Sequence, residues 1–133
     1  MPITTTSQLL HDGPRNVVMQ FTGFVDVNDS GQESLVRKVD VSDLPTPCSS
    51  VKILRLQYEV SGGLVRLFWD ATDSPVQFLE LAAGGNVLDY NRIAGLKNGA
   101  EPEVRTGDIL LSTLGFEVGS TYSLLLEMQK KYI

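Results

Sequence analysis

The chain has 133 residues, 42% of them hydrophobic, and this length predicts one domain with a core of its own. The net charge of −5 argues against a nucleic-acid surface, because phosphate contacts require clustered Lys and Arg. The basic pair formed by Lys130 and Lys131 is too short to supply such a cluster. A single cysteine excludes an intrachain disulfide and favours a reducing compartment. We expect no secretion signal and no membrane segment, since no apolar run approaches the ~20 residues that a span needs.

The first segment, 1–14, is rich in Thr and Ser and closes on the turn residues Asp12, Gly13 and Pro14. Its composition predicts an extended N-terminal arm with little core, anchored by Leu9 and Leu10. The remaining residues, 15–133, are expected to form the globular domain.

Apolar residues alternate with polar ones along much of 15–133, the period of half-buried antiparallel strands. The pattern predicts about eight strands, at 15–25, 33–40, three within 51–82, and at 87–90, 108–114 and 120–130. Residues at 61–63, Ser-Gly-Gly, predict a tight hairpin turn with positive φ. One core is predicted to contain the inward set Leu54, Leu56, Tyr58, Val60, Leu124, Leu126 and Met128.

Two connections lack strand periodicity. Prolines interrupt 42–47, which neither a helix nor a central strand tolerates. The segment 91–105 is long for a loop in a compact domain, so we expect it to contact partners. Short strands separated by Gly and Pro turns predict an all-β fold: an antiparallel β-sandwich or jelly-roll-like single domain carrying the N-terminal arm.

Few residues have the chemistry of a catalytic or metal site. His11 is the single histidine and lies in the predicted arm, so we interpret it as a surface residue without an oriented partner. Cys48 lies between two loop residues, far from that histidine, and is interpreted as a semi-buried structural thiol. The glycines at 84–85, 95 and 99 form no phosphate-binding motif. We therefore predict no catalytic, cofactor-binding or metal-binding residue and no enzymatic activity.

The segment 26–31, Asp-Val-Asn-Asp-Ser-Gly, places oxygen donors at the first, third and fifth positions of a possible calcium loop. Position twelve would be Arg37, where that motif needs a bidentate Glu. A solvated loop is therefore the preferred interpretation, and calcium in another geometry stays open.

Asp70 and Asp73 bracket a turn, and paired carboxylates can serve as acid and base in glycoside hydrolysis. The preferred interpretation is local hydrogen bonding to the turn backbone. The adjacent Phe68 and Trp69 must point to opposite faces of a strand, so one is expected in the core. A carbohydrate-binding or receptor-binding module that uses Trp69 or Tyr90 as a platform, and a small glycan hydrolase that uses the two carboxylates, are the alternatives.

Five segments resemble a group of small structural proteins from tailed bacteriophage virions. They are DGPRNVV (12–18), KVDVSDL (38–44), VKILRLQYEVSGGLVRLFWDA (51–71), TGDILLSTLGF (106–116) and YSLLLEMQKK (122–131). The resemblance extends over about 7–130, and its motifs are structural rather than catalytic.

This resemblance implies a non-enzymatic β-sandwich subunit of a phage particle, without cofactors. The implied role is a head decoration (cement) protein that stabilises the capsid by bridging shell subunits, with a tail, neck or baseplate component as the alternative. The implied partners are the major capsid protein or other virion proteins, together with self-association, a trimer being the first expectation. Neither nucleic acid nor membrane is an expected partner, and the implied location is the virion, assembled in the host cytoplasm.

Overall fold

The computed structural model describes residues 4–27, 33–101 and 103–132. These residues form nine strands and a short 3-10 helix at Asn91–Ile93: β1 Thr4–Asp12, β2 Asn16–Phe24, β3 Val36–Val39, β4 Ser50–Ser61, β5 Leu64–Ala71, β6 Val76–Leu81, β7 Gly84–Asp89, β8 Arg105–Leu114 and β9 Thr121–Lys131. Nowhere in the described part of the chain is there a helix long and apolar enough to cross a membrane.

The strands form two antiparallel sheets, and the fold is the β-sandwich that the sequence predicts. One sheet has five strands in the order β1-β2-β9-β4-β7, and the other has four in the order β3-β8-β5-β6. Every strand pair is antiparallel, and most sheet neighbours are distant in the sequence.

The core lies between the two sheets and is built from the inward residues of the alternating strands. In β9 the predicted core residues Leu124, Leu126 and Met128 are buried, together with Tyr122. In β2, Val17 and Phe21 are fully buried, and Met19 packs against the same core. Where one face of a strand is buried, as in β2 and β9, the hydrophobic pattern fixes its register.

Strand β4 departs from the predicted alternation at one residue. Its pairing with β9 shifts register between Ile53 and Arg55, which is the signature of a β-bulge. Ile53 is therefore buried, and Leu54, predicted to lie in the core, is only half-buried and lies outside it. Beyond the bulge Leu56 returns to the core, whereas the predicted core residue Tyr58 is partly buried against it.

The turn at 61–63 has the predicted backbone, since Gly62 has φ +97°. The predicted hairpin is wrong, however, because β4 and β5 belong to different sheets. The turn is a corner that carries the chain from one sheet to the other. A hairpin within one sheet and a corner between two sheets have the same sequence pattern, because neither the alternation nor the Gly-Gly turn identifies the hydrogen-bonding partner of a strand.

The predicted N-terminal arm is also corrected. Residues Thr4–Asp12 fold back on their own domain as β1, which pairs with β2 along its whole length. The supposed anchors Leu9 and Leu10 are 39% and 46% exposed, so β1 buries little apolar surface. Backbone pairing, rather than core packing, holds this segment in place.

The long segment 91–105 folds against its own domain. Leu96 forms an isolated antiparallel bridge with Ile53, and Ala100 is buried. The Arg105 guanidinium donates hydrogen bonds to the backbone carbonyls of Asn98 and Ala100. These contacts give the segment a structural role, and its contact with partner subunits stays a prediction.

Candidate functional site

Asp70 is part of an ion cluster on the four-stranded sheet. Its Oδ2 accepts hydrogen bonds from Arg37 Nη2 at 2.9 Å and from Thr106 Oγ1 at 2.8 Å. The same guanidinium places Nε 3.0 Å from Oδ2 of Asp108. Three neighbouring strands, β3, β5 and β8, supply these side chains, which brings distant residues together. The predicted local turn bonding is therefore wrong for Asp70, whose partners are 33 and 36 residues away.

The two carboxylates of this cluster differ from the arginine in exposure. The Asp70 and Asp108 side chains are 11% and 10% exposed, whereas that of Arg37 is 49% exposed. Burial raises the pKa of Asp108, with a smaller contribution from nearby negative charge and an opposing one from its bond to the Val41 amide. One guanidinium is shared by two carboxylates, which links three strands of the sheet and leaves Asp70 engaged.

Asp73 does not join this cluster. It is exposed, and its Oδ1 accepts the Ser74 backbone N–H at 2.6 Å, the local turn bonding expected for it. Asp70 is tied to Arg37 on the sheet, so the contacts give the two carboxylates separate partners. The contacts therefore do not bring together the two carboxylates that the hydrolase alternative requires.

Trp69 lies in the core and is 1% exposed. Its ring stacks on Phe78 with centroids 4.1 Å apart. Phe68 points the other way and is half-buried, while burial raises the pKa of Tyr90, which is also half-buried. The expected split between Phe68 and Trp69 is confirmed, and a sugar platform built on Trp69 is excluded because its faces are covered.

The remaining sequence candidates are dispersed. His11 is exposed on the edge strand β1, and Cys48 is half-buried with its pKa raised by burial. Of the possible calcium loop, 28–31 lies outside the described residues. Within the described ranges, no group of three or more His, Cys, Asp and Glu is placed to hold a metal ion.

A buried ion pair links β3 to the segment before it. Lys38 Nζ lies 2.7 Å from Oε2 of Glu33, with side chains 5% and 3% exposed. The Tyr122 hydroxyl donates a hydrogen bond to Oε1 of the same carboxylate. Burial and the neighbouring carboxylate both raise the pKa of Tyr122. All three polar groups are thereby satisfied inside the sandwich, as buried polar groups must be.

A second buried pair joins the N-terminal strand to β9. Lys130 Nζ lies 2.5 Å from Asp12 Oδ1 and donates to the Thr46 carbonyl at 2.7 Å. The Lys130 side chain is fully buried, so half of the basic pair noted in the sequence faces inward. Hydrogen bonding to Lys130 lowers the pKa of Asp12.

A basic groove of about 630 Å³ lies where the ends of β4 and β9 meet the loop before β8. It is lined by the cations Arg15, Lys52, Lys97, Arg105 and Lys131. The sequence does not predict this groove. Its cations come from separate segments of an acidic chain, so no local cluster signals it; only the pairing of β4 with β9 brings Lys52 and Lys131 to one end of the sandwich.

Comparison with known proteins assigns no family to this chain. No family model matches it, and no curated protein matches it. Among solved structures, a cupin superfamily protein from Desulfitobacterium hafniense DCB-2 is similar over 96% of this chain and 77% of its own, with 15% identity and a TM-score of 0.38.

Proposed function

We propose that this protein is a non-enzymatic structural component of a tailed-phage virion, most specifically a decoration protein that bridges subunits of the head. The observation that carries the proposal is the sequence resemblance over about 7–130, which includes the strands that form the centre of both sheets. A protein that binds only the assembled shell stabilises that shell by mass action.

The buried charges support a structural role. Glu33, Asp12 and Asp70, which include two of the most buried carboxylates, are each neutralised by a cation of the same domain. Breaking such a pair is costly because it leaves an uncompensated buried charge. These carboxylates are therefore explained by stability, with no catalytic role required.

Strand β1 supplies a plausible means of attachment. It lies at the edge of the five-stranded sheet, and Thr4–His11 is exposed. An edge strand offers unpaired backbone N–H and C=O groups to another chain. Ordering the backbone of β1 costs ~1–2 kcal/mol of conformational entropy per residue, and the side chains of β1 bury little apolar surface to offset it. Pairing with a neighbouring subunit would add contacts that offset this cost.

The first test is the composition of purified particles from the phage that encodes this chain. Quantitative mass spectrometry should detect the protein at a copy number comparable to that of the major capsid protein. A few copies per particle would instead support the neck or baseplate alternative, and absence from particles would refute the virion role.

A second test addresses attachment. Shells that lack the protein are incubated with the full chain, with a variant lacking residues 1–10, and with the control Val118→Ala, which alters a 60% exposed residue away from β1. We expect the truncation to lose shell binding while its circular dichroism spectrum still reports a β fold. Equal binding by the truncated and full chains would reject β1 as the attachment element.

A further inference from the structure

The basic groove collects the cations that have no partner elsewhere. The chain has eleven Lys and Arg residues, and five of them form ion pairs within the described structure: Arg37, Lys38, Arg55, Arg66 and Lys130. Of the other six, all but Arg92 line the groove. A surface with randomly placed cations would not concentrate them in this way, least of all on a chain of net charge −5.

No carboxylate side chain occurs among the described residues that line this groove. Two side chains on its walls are held by the fold. Arg105 is fixed by its hydrogen bonds to the Asn98 and Ala100 carbonyls. The aliphatic stem of Lys52 lies over Gly95, where an added Cβ would be 2.9 Å from Lys52 Cδ. The positive charge is therefore partly preorganised, which lowers the entropic cost of binding an anion.

Asn98 gives an independent indication of a ligand. Its side-chain Oδ1 accepts the Ala100 backbone N–H at 2.9 Å, which orients the amide. Its Nδ2 is buried and has no hydrogen-bond acceptor within the described structure. A buried donor without an acceptor costs free energy. A small shift of the Asn98 amide toward the groove that it lines would let a bound oxyanion supply the missing acceptor.

Size and charge define the class of ligand. The groove volume of about 630 Å³ lies within the range of small-molecule sites. At physiological salt the Debye length is about 8 Å, so a compact anion in the groove responds mainly to the adjacent cations. A long polyanion would extend over the rest of an acidic surface and be repelled by it.

We infer that this groove is a binding site for a small multivalent oxyanion, one that carries at least two phosphate or carboxylate groups. The cations contact its charges, and Asn98 Nδ2 donates to one of its oxygens. This inference does not depend on the virion role, since the groove lies on the isolated subunit.

Isothermal titration calorimetry of the full chain with tripolyphosphate and with citrate tests the site and distinguishes phosphate from carboxylate ligands. We expect saturable binding of one ligand per chain for at least one probe. The double variant Lys52→Gln/Lys97→Gln should bind roughly tenfold more weakly for each cation removed. The control Arg92→Gln removes the unpaired cation outside the groove and should bind as the parent does.

Asn98→Asp places a negative charge at the buried amide and should abolish binding. Circular dichroism confirms that each variant keeps its fold. Equal affinity of the parent and the Lys52/Lys97 double variant, or no saturable binding of either probe at low salt, would overturn the inference. Tighter binding of a single-stranded oligonucleotide than of both probes would also overturn it, in favour of a nucleic-acid surface.

Discussion

Several charged side chains in this protein are held by partners that lie far along the chain. Asp70 is bonded by Arg37 and Lys130 by Asp12, so the polar partner is chosen by the sheet order. The sequence indicates a turn aspartate equally well at Asp70 and Asp73, and only Asp73 makes the local bond. Local patterns therefore predict side chains that bond their own turn, and fail for those that reach across a sheet.

Two constraints require glycine at position 62, and only the first can be predicted from the sequence. Its positive φ is the expected property of a Gly-Gly turn. The second constraint is tertiary, because an added Cβ would lie 2.2 Å from Oγ of Ser120. That hydroxyl is itself fixed, since Ser120 is buried and accepts the Glu117 backbone N–H at 2.9 Å.

Gly62→Ala should therefore destabilise the fold more than Gly119→Ala. Gly119 also has positive φ, at +91°, but an added Cβ there meets no atom within 4 Å. Both variants lose about 1–2 kcal/mol to backbone strain, and the clash at Gly62 adds roughly another 1–3 kcal/mol. Urea unfolding measures the difference. Equal losses would mean that the sheet-to-sheet corner is looser than the structure has it.

The positions of most strands can be predicted from the sequence, whereas their pairing partners cannot. The period-two pattern predicts the strands that bury one face, such as β2, β4 and β9, because burial of that face is a local requirement of each strand. β7 is exposed, and its first residues, 84–86, lie where the sequence indicates a turn. β1 was not predicted as a strand, since its exposed residues carry no such pattern. The bulge at Leu54 and the corner at 61–63 depend on neighbours in β9 and β8, which lie far away in the sequence.

The bulge in β4 predicts opposite outcomes for neighbouring leucines. Leu56→Ala removes a fully buried side chain and should cost roughly 2–5 kcal/mol of unfolding free energy. Leu54→Ala removes a half-buried side chain outside the core and should cost about 1 kcal/mol or less. Chemical denaturation of both variants checks this. A larger loss of stability for Leu54→Ala than for Leu56→Ala would mean that β4 alternates without interruption and has no bulge.

We expect the stability of N-terminal truncations to fall sharply once Asp12 is removed. Deleting residues 1–10 removes the exposed side chains of 4–10 and keeps Asp12 beside Lys130, so we expect a modest loss of stability. Deleting residues 1–12 leaves the Lys130 ammonium buried without its carboxylate, which costs roughly 3–5 kcal/mol. Thermal unfolding of the two truncations measures the step.

The full-length variant Asp12→Ala separates the charge effect from the loss of strand pairing. It keeps all of β1 and should reproduce most of the difference between the truncations. If Asp12→Ala were as stable as the parent chain, the buried pair would add nothing to the backbone pairing that holds β1 on the domain.

Across the whole molecule, acidic and basic groups are separated in a way that the net charge conceals. Carboxylates that matter for folding are buried beside Arg37, Lys38 and Lys130, whereas unpaired cations collect at one end of the sandwich. The basic groove therefore runs against the acidic composition of the chain. Net charge alone would have hidden the site that the structure favours most for a ligand.

The buried carboxylates also make stability depend on pH with opposite signs on the two sides of 3.8, the ordinary pKa of Asp. The pKa of Asp108 is raised, so above 3.8 the folded state binds more protons than the unfolded state, and its contribution to stability increases as pH falls toward 3.8. The pKa of Asp12 is lowered, so its contribution is present above 3.8 and is lost as pH falls through the folded-state value.

Urea unfolding of the parent chain, Asp108→Asn and Asp12→Asn, measured from neutral pH to below 3.8, tests this separation. Relative to the parent, Asp108→Asn should lack the gain in stability on the mildly acidic side, because its amide cannot take up the proton. Asp12→Asn should be less stable at neutral pH and should converge on the parent at the lowest pH, where the parent carboxylate is also neutral. Parallel pH profiles for all three proteins would show that these two side chains titrate alike in the folded and unfolded states.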